Sequence, residues 1–136
     1  MRNKKIILDT NLWISFLITK KLLEIDNLIE NKKITLIFSN ELIAEFVEVV
    51  QRPKFEKYFS KEDIEKIFNY FDQFGKLIKV KSDIHICRDE KDNFLLNLSV
   101  DSKADYLITG DSDLLVLEKI ERTKIMNFTD FVKHIG

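Results

Sequence analysis

Apolar residues in this chain fall into short unbroken runs and longer stretches at helical spacing, and the two kinds alternate. Ile6-Ile7-Leu8 is an unbroken run ending at Asp9, the pattern of a strand buried on both faces. Asn11 to about Ile18 reads as a short helix, and Lys20 to about Asn31 as another. Ile34 to Phe38 is a second strand. Ser39 caps a helix running to about Gln51, and Pro53 favours a break there. Ser60-Lys61-Glu62-Asp63 has the form of a capping box with Asp in place of Glu. It opens a long amphipathic helix, with Ile64, Ile67, Phe68 and Phe71 on one face, that closes near Gly75. Leu77 to Val80 is strand-like, and a polar loop leads to a helix from about Asp92 to Ser102. Tyr106-Leu107-Ile108-Thr109 is a buried strand stopped by Gly110, and a short helix follows from about Ser112 to Glu118. Lys124-Ile125-Met126 is the last strand, and Thr129 caps a closing helix to about Ile135.

Strands alternating with helices over the whole chain predict an α/β sandwich around a mostly parallel sheet. The 136 residues show no repeat, low-complexity tract or boundary, so a single domain spanning 1–136 is expected. In such folds ligands sit beyond the carboxyl ends of the strands, where Asp9 and Asp111 fall.

Composition narrows the possibilities. Hydrophobic residues make up 45% and charged residues 33%, a globular balance, and eleven Phe supply the volume for a core. Net charge is −1, without the positive field of many nucleic-acid binders, so any such role has to come from a local site. Cys87 is the only cysteine, which excludes an intramolecular disulfide and a thiolate metal cluster. No apolar run approaches the ~20 residues needed to span a bilayer. The run before Asp9 is too short for a signal peptide. The cytoplasm is the expected compartment, with no membrane partner.

The candidate chemistry lies in Asp9, Glu45, Asp92, Asp111 and Asp113. Hard divalent cations prefer oxygen ligands, and a cation held by carboxylates can polarise a phosphate oxygen and acidify a water, as phosphodiester hydrolysis requires. Each acid also has a plainer role open to it. Asp9 and Asp111 can cap the helices that follow them. Asp92 lies in a charged stretch at a helix start, and Asp89 competes with it for the cap or the site. Asp113 reaches the same ion as Asp111 only if the backbone turns after Gly110. Glu45 sits inside a helix, where no cap role applies. With 100° per residue, Leu42, Ile43, Phe46, Val47, Val49 and Val50 centre on one face, and Glu48 falls almost opposite. Glu45 lies roughly 115° from that centre, at the edge of the apolar face, with an ordinary surface position as its alternative. His85 and His134 are read as structural or solvated rather than as ligands, and Trp13 as a core residue, with stacking on a base as its alternative.

These residues also carry a family resemblance. Leu8-Asp9-Thr10-Asn11, Glu41 through Arg52-Pro53-Lys54, Asp89-Glu90-Lys91-Asp92-Asn93, and Ala104 through Leu115 resemble, in order, the motifs of PIN-domain ribonucleases. The likeness is to the prokaryotic branch of toxin components in toxin–antitoxin pairs (VapC-like). It implies a PIN-like three-layer sandwich with a central, mostly parallel sheet flanked by helices. It also implies an acidic pocket for Mg2+ or Mn2+, with metal ligands at Asp9, Asp92, Asp111 and Asp113 and the family's helical acid at Glu45. Thr10, Asn11 and Thr109 match polar positions that support the site. The implied reaction is hydrolysis of RNA to 5′-phosphate and 3′-hydroxyl ends. RNA, a cognate antitoxin and a second copy in a homodimer are the expected partners. Arg52, Lys54 and Arg88 are candidate RNA contacts, with Lys20 and Lys21 beside them. Glu90 stands where proline is common in the family, and Asn97 and Ser99 interrupt a helix often richer in Ala. The other readings are a non-catalytic PIN-fold module that binds protein or RNA, and a housekeeping RNA-processing nuclease.

Overall fold

The unbroken apolar runs form the middle of a six-stranded sheet in the computed structural model, which describes residues 4–19, 34–58 and 60–135. The strands are β1 (Lys4–Leu8), β2 (Ile34–Phe38), β3 (Gly75–Leu77), β4 (Tyr106–Ile108), β5 (Lys119–Ile120) and β6 (Thr123–Met126). The helices are α1 (Thr10–Thr19), α2 (Asn40–Val50), α3 (Lys61–Phe74), α4 (Asn93–Ser102), α5 (Ser112–Leu115) and α6 (Phe128–Ile135). The predicted helix from Lys20 to Asn31 lies outside the described residues.

Strand order is β3-β2-β1-β4-β6-β5. All neighbours are parallel except the β5–β6 hairpin at one edge. The sandwich expected from the alternating pattern is therefore present, with helices flanking a mostly parallel sheet. The chain builds outward from β1 to β2 and β3, then returns to place β4 on the other side of β1. That reversal makes the β1–β4 boundary the switch point where an open α/β sheet leaves a crevice at its carboxyl edge. Leu8 pairs with Ile108, so the residues after both strands emerge level with each other.

Ile6, Ile7, Leu8, Leu107 and Ile108 are all 0–1% exposed, as strands covered on both faces must be. One aromatic cluster joins Trp13 on α1, Phe38 on β2, Phe46 on α2 and Phe71 on α3. A second joins Phe16 to Phe128, and Tyr106 to Phe131. Ser39 caps α2 by accepting the Leu42 N–H (3.1 Å), and Ser60 and Asp63 form the reciprocal capping box of α3.

The differences from the sequence-based expectations have tertiary causes. The strand expected over 77–80 is formed at 75–77, because its partner β2 ends at Phe38, which pairs with Leu77. The Ile78 N–H makes one further bond to the Phe38 carbonyl (2.8 Å), and the pairing stops there. The helix after Asp111 is only four residues long, since Glu118 turns left-handed (φ 64°) into the hairpin that no pattern announced. Asn127, rather than Thr129, caps α6 by accepting the Asp130 N–H (2.8 Å).

Gly75 joins α3 to β3 with no intervening loop. Its φ of −96° suits any residue, so glycine is needed there for space. A Cβ on Gly75 would lie 2.5 Å from Phe38 Cε2 and 2.5 Å from the Phe71 carbonyl oxygen. Gly75→Ala is expected to cost about 1–3 kcal/mol through overpacking, read as a lower urea midpoint at unchanged slope. A midpoint at or above the parent's would show that Phe38 yields freely.

Candidate functional site

Four of the five acids come together at the carboxyl edge of β1 and β4. Asp9 directly follows β1 and is 4% exposed. Its N–H donates to the Ile108 carbonyl (3.0 Å), which ties it to the neighbouring strand. The Thr109 hydroxyl donates to Asp9 Oδ2 (2.7 Å) and accepts the Asp111 N–H (3.0 Å). Because that N–H occupies the hydroxyl's acceptor side, the Thr109 proton is directed at Asp9. Helix capping by Asp9 is weak, since the Asn11 N–H is 3.4 Å from Oδ1. Asp111 is a true N-cap, accepting the Asp113 N–H at 2.9 Å.

Asp92 closes a 3-10 turn (Glu90–Asp92) and stands at the N-cap position of α4. Its side chain makes no capping bond, so the capping role open to it in the sequence is not realised. Its Oδ2 is buried without a donor. Asp89, its rival, is exposed, and its carbonyl accepts the Asp92 N–H (3.0 Å). Glu45 arrives on α2, which packs against both α1 and α4. It is half-buried at the edge predicted for it and lies near Asp9 and Thr10. The fully buried Thr10 hydroxyl makes no hydrogen bond of full geometry, yet is close enough to favour the ionised Glu45 carboxylate.

The electrostatics follow from this crowding. Burial raises the Asp9 pKa, opposed by the Thr109 and Asn11 hydrogen bonds and assisted by Asp111. Burial also raises Glu45, opposed by Thr10 and assisted by Asp9 and Glu48, while Arg52 pulls the other way. Asp92 is pushed up to about 8, first by burial and then by Asp111, Asp9 and Asp89. Asp111 is lowered, chiefly by its hydrogen bond with Asp92. Without a cation, these two carboxylates hold one proton between them.

Asp113 enters mainly through its backbone. Its N–H caps onto Asp111, and its carbonyl lies 3.8 Å from the Cys87 sulfur. Burial raises the Cys87 thiol, with Asp92, Asp111 and Asp113 adding to the effect, so it stays protonated as a filler beside the acids. Of the predicted RNA contacts, Arg52, Lys54 and Arg88 are all exposed, and Arg52 makes a bidentate pair with Glu48 (3.0 and 3.1 Å).

One supporting feature escaped the sequence reading. Asn93, Asn97 and Asp101 form a polar stripe at four-residue spacing along α4. Asn93 Oδ1 accepts the Cys87 N–H (2.9 Å), Asn97 Oδ1 accepts the Ile84 N–H (2.6 Å), and Asp101 accepts the Lys81 and Ser82 N–H groups. The stripe clamps the strandless segment 81–87 that leads into Asp92. It also explains why Asn97 stands where an Ala would serve a simpler helix. Ser99, the other departure, bonds back to the Leu95 carbonyl (2.8 Å). The i, i+4, i+8 spacing was the available signal.

Among the described residues, no three side chains form a ready-made metal cage. The donors present nonetheless fit a hard cation, which keeps several waters and needs only one or two carboxylates. Asp92 interacts with Asp111 through its side chain, and its undonated Oδ2 is the atom such a cation would satisfy. An open cleft of about 340 Å³ adjoins Asp111, lined also by Asn11, Leu12 and Gly110.

A family model for the PIN domain matches residues 5–113. The chain belongs to the PIN-domain family. PIN domains have a nuclease-type fold, are generally nucleases and commonly use divalent metals. The uncharacterized protein MJ1680 of Methanocaldococcus jannaschii is 36% identical to this PIN domain over 116 residues, 83% of this chain and 74% of its own. The family match spans β1 through Asp113 and so includes every acid of the candidate site. No helix among the described residues of this PIN domain is long and apolar enough to cross a membrane.

Proposed function

We propose that this PIN domain is a divalent-metal-dependent ribonuclease that hydrolyses RNA to 5′-phosphate and 3′-hydroxyl ends. The observation that carries the reading is the Asp92–Asp111 pair, with a buried oxygen that has no donor and a carboxyl pKa of about 8. Two carboxylates kept this close are costly in a metal-free chain, and a cation offsets the cost. Asp92 and Asp111 would hold Mg2+ or Mn2+, with Asp9 beside them and Asp113 at the margin. The bound ion supplies a Lewis acid for the scissile phosphate and lowers the pKa of an attacking water.

The chain's own groups do the rest. Thr109 fixes the Asp9 carboxylate through Oδ2 and leaves Oδ1 only weakly engaged. Glu45, raised by burial, is suited to accept the proton of the attacking water. Thr10 and Asn11 begin α1 beside it and help to hold that geometry. A role as the toxin of a toxin–antitoxin pair, with an antitoxin and a second copy as partners, is supported by motif resemblance alone, and the cytoplasm as compartment by the sequence's sparing use of cysteine.

The test is cleavage of an end-labelled single-stranded RNA by the purified chain. Cutting is expected with Mg2+ or Mn2+, none with EDTA, and the new 5′ ends should be phosphorylated. Cutting undiminished by EDTA, or products ending in 2′,3′-cyclic phosphate, would overturn the assignment.

A further inference from the structure

The acids provide chemistry but no grip on a polyanion. A separate open cavity of about 750 Å³ lies beyond the end of α2, lined by Ile18 and by the run Pro53–Tyr58. Residues 52–58 read Arg-Pro-Lys-Phe-Glu-Lys-Tyr, three cations to one acid in a chain whose net charge is −1. Pro53 opens a 3-10 helix (Pro53–Phe55), and the Phe55, Glu56 and Tyr58 N–H groups bond back to Arg52, Pro53 and Phe55 (3.0, 3.2 and 3.0 Å). The turn is therefore ordered by its own backbone. Lys54 Nζ lies 5.1 Å from the Phe55 ring centre, and Lys57 Nζ lies 5.4 Å from that of Tyr58. Phe55 packs against the core, whereas Tyr58 is 44% exposed.

Exposed aromatic faces with cations beside them are what single-stranded nucleic acids bind. A duplex is a poor match, because its bases are stacked on each other and unavailable to one protruding ring. The turn is also continuous with the acids. Glu45, Glu48 and Arg52 follow one another at i, i+3 and i+7, which places Arg52 about 10 Å along the helix axis from Glu45. The Arg52 charge is felt at Glu45.

We propose that the 52–58 turn is a platform for single-stranded RNA, with Tyr58 stacking on a base and Lys54 and Lys57 holding flanking phosphates. The platform leads the strand along α2 to Glu45 and the acids, so it rests on the nuclease reading for its purpose but not for its measurement.

Binding can be read without cleavage, using the full chain carrying Asp9→Asn, in EDTA, against a fluorescent single-stranded RNA and a duplex of the same sequence. The single strand is expected to bind more tightly. Adding Tyr58→Ala should weaken it about tenfold, while Tyr58→Phe should retain it. Replacing Lys54 and Lys57 together by Ala should lower the slope of log affinity against log salt by about 1.4, from two lost phosphate contacts. Since these side chains are exposed, thermal melts should match the Asp9→Asn parent. Tyr58→Ala binding as tightly as its parent, equal binding of the duplex, or no RNA binding at all would overturn the platform. The last result would leave the cavity to a protein partner. Failure of the nuclease reading would show separately, as absence of metal-dependent cleavage by the unmutated chain.

Discussion

Asp9→Asn is expected to lower RNA cleavage on the order of a thousandfold while leaving the fold at least as stable as before. Asp9 is almost fully buried and its pKa is raised, so the folded state bears a cost for keeping it ionised. A raised pKa means that this cost is absent below the unfolded value and grows as pH rises through the folded value. Asn has the same shape and no charge, and its carbonyl oxygen can still accept the Thr109 hydroxyl. The anchoring Asp9 N–H to the Ile108 carbonyl is unaffected by the exchange. Activity and stability should therefore move in opposite directions near neutral pH. Cleavage rates and urea melts of the same preparation measure both. A variant that cuts at the parent rate would remove Asp9 from the machinery, and one that fails to fold would make it a structural residue.

The metal-free chain is expected to lose stability as pH rises from about 4 towards 8, with a shallower loss in Asp92→Asn. Asp92 carries the effect, because its pKa rises from 3.8 to about 8 on folding. Between those values the folded state holds more protons than the unfolded one, so the slope of stability against pH is negative. Asp9 and Glu45 are also raised and add to the slope, which is why Asp92→Asn flattens it only in part. Asp111 is lowered and acts elsewhere, its contribution being lost only as pH falls below the ordinary carboxylate value of 3.8. Mg2+ in excess should restore stability at the alkaline end, because a cation takes the place of the shared proton. Melting temperatures across this range, with EDTA or with Mg2+, give the answer. An identical slope in Asp92→Asn would mean that neither burial nor the neighbouring acids raise the Asp92 carboxyl in the folded chain.

Several elements were legible because their causes are local. Ile6-Ile7-Leu8 and Tyr106-Leu107-Ile108 declare themselves by unbroken apolar character, Ile34 to Phe38 by an apolar run that only Thr35 interrupts, and strands form over those residues. Ser39 and Ser60 cap the helices they precede, since a cap needs only an N–H two or three residues ahead. Glu45 stands out by its angle on α2, which depends on nothing outside the helix. The positions of Asp9 and Asp111 at strand ends, together with family motifs, were enough to place a site at the carboxyl edge of the sheet.

Tertiary structure decided what depends on residues remote in sequence. Register against β2 limits β3 to three residues, and the hairpin at the far edge shortens α5. Whether Asp92 caps a helix or faces another acid is decided by Asp111, nineteen residues ahead. Thr109 joins Asp9 across a separation of 100 residues, a bond no local pattern encodes. Periodicity and capping act within a turn or two of chain, so the sequence by itself determined the elements and nominated the acids. Pairing register, proton sharing and the clamp on segment 81–87 act through space, so only the folded chain showed which acids meet and what each is left to do.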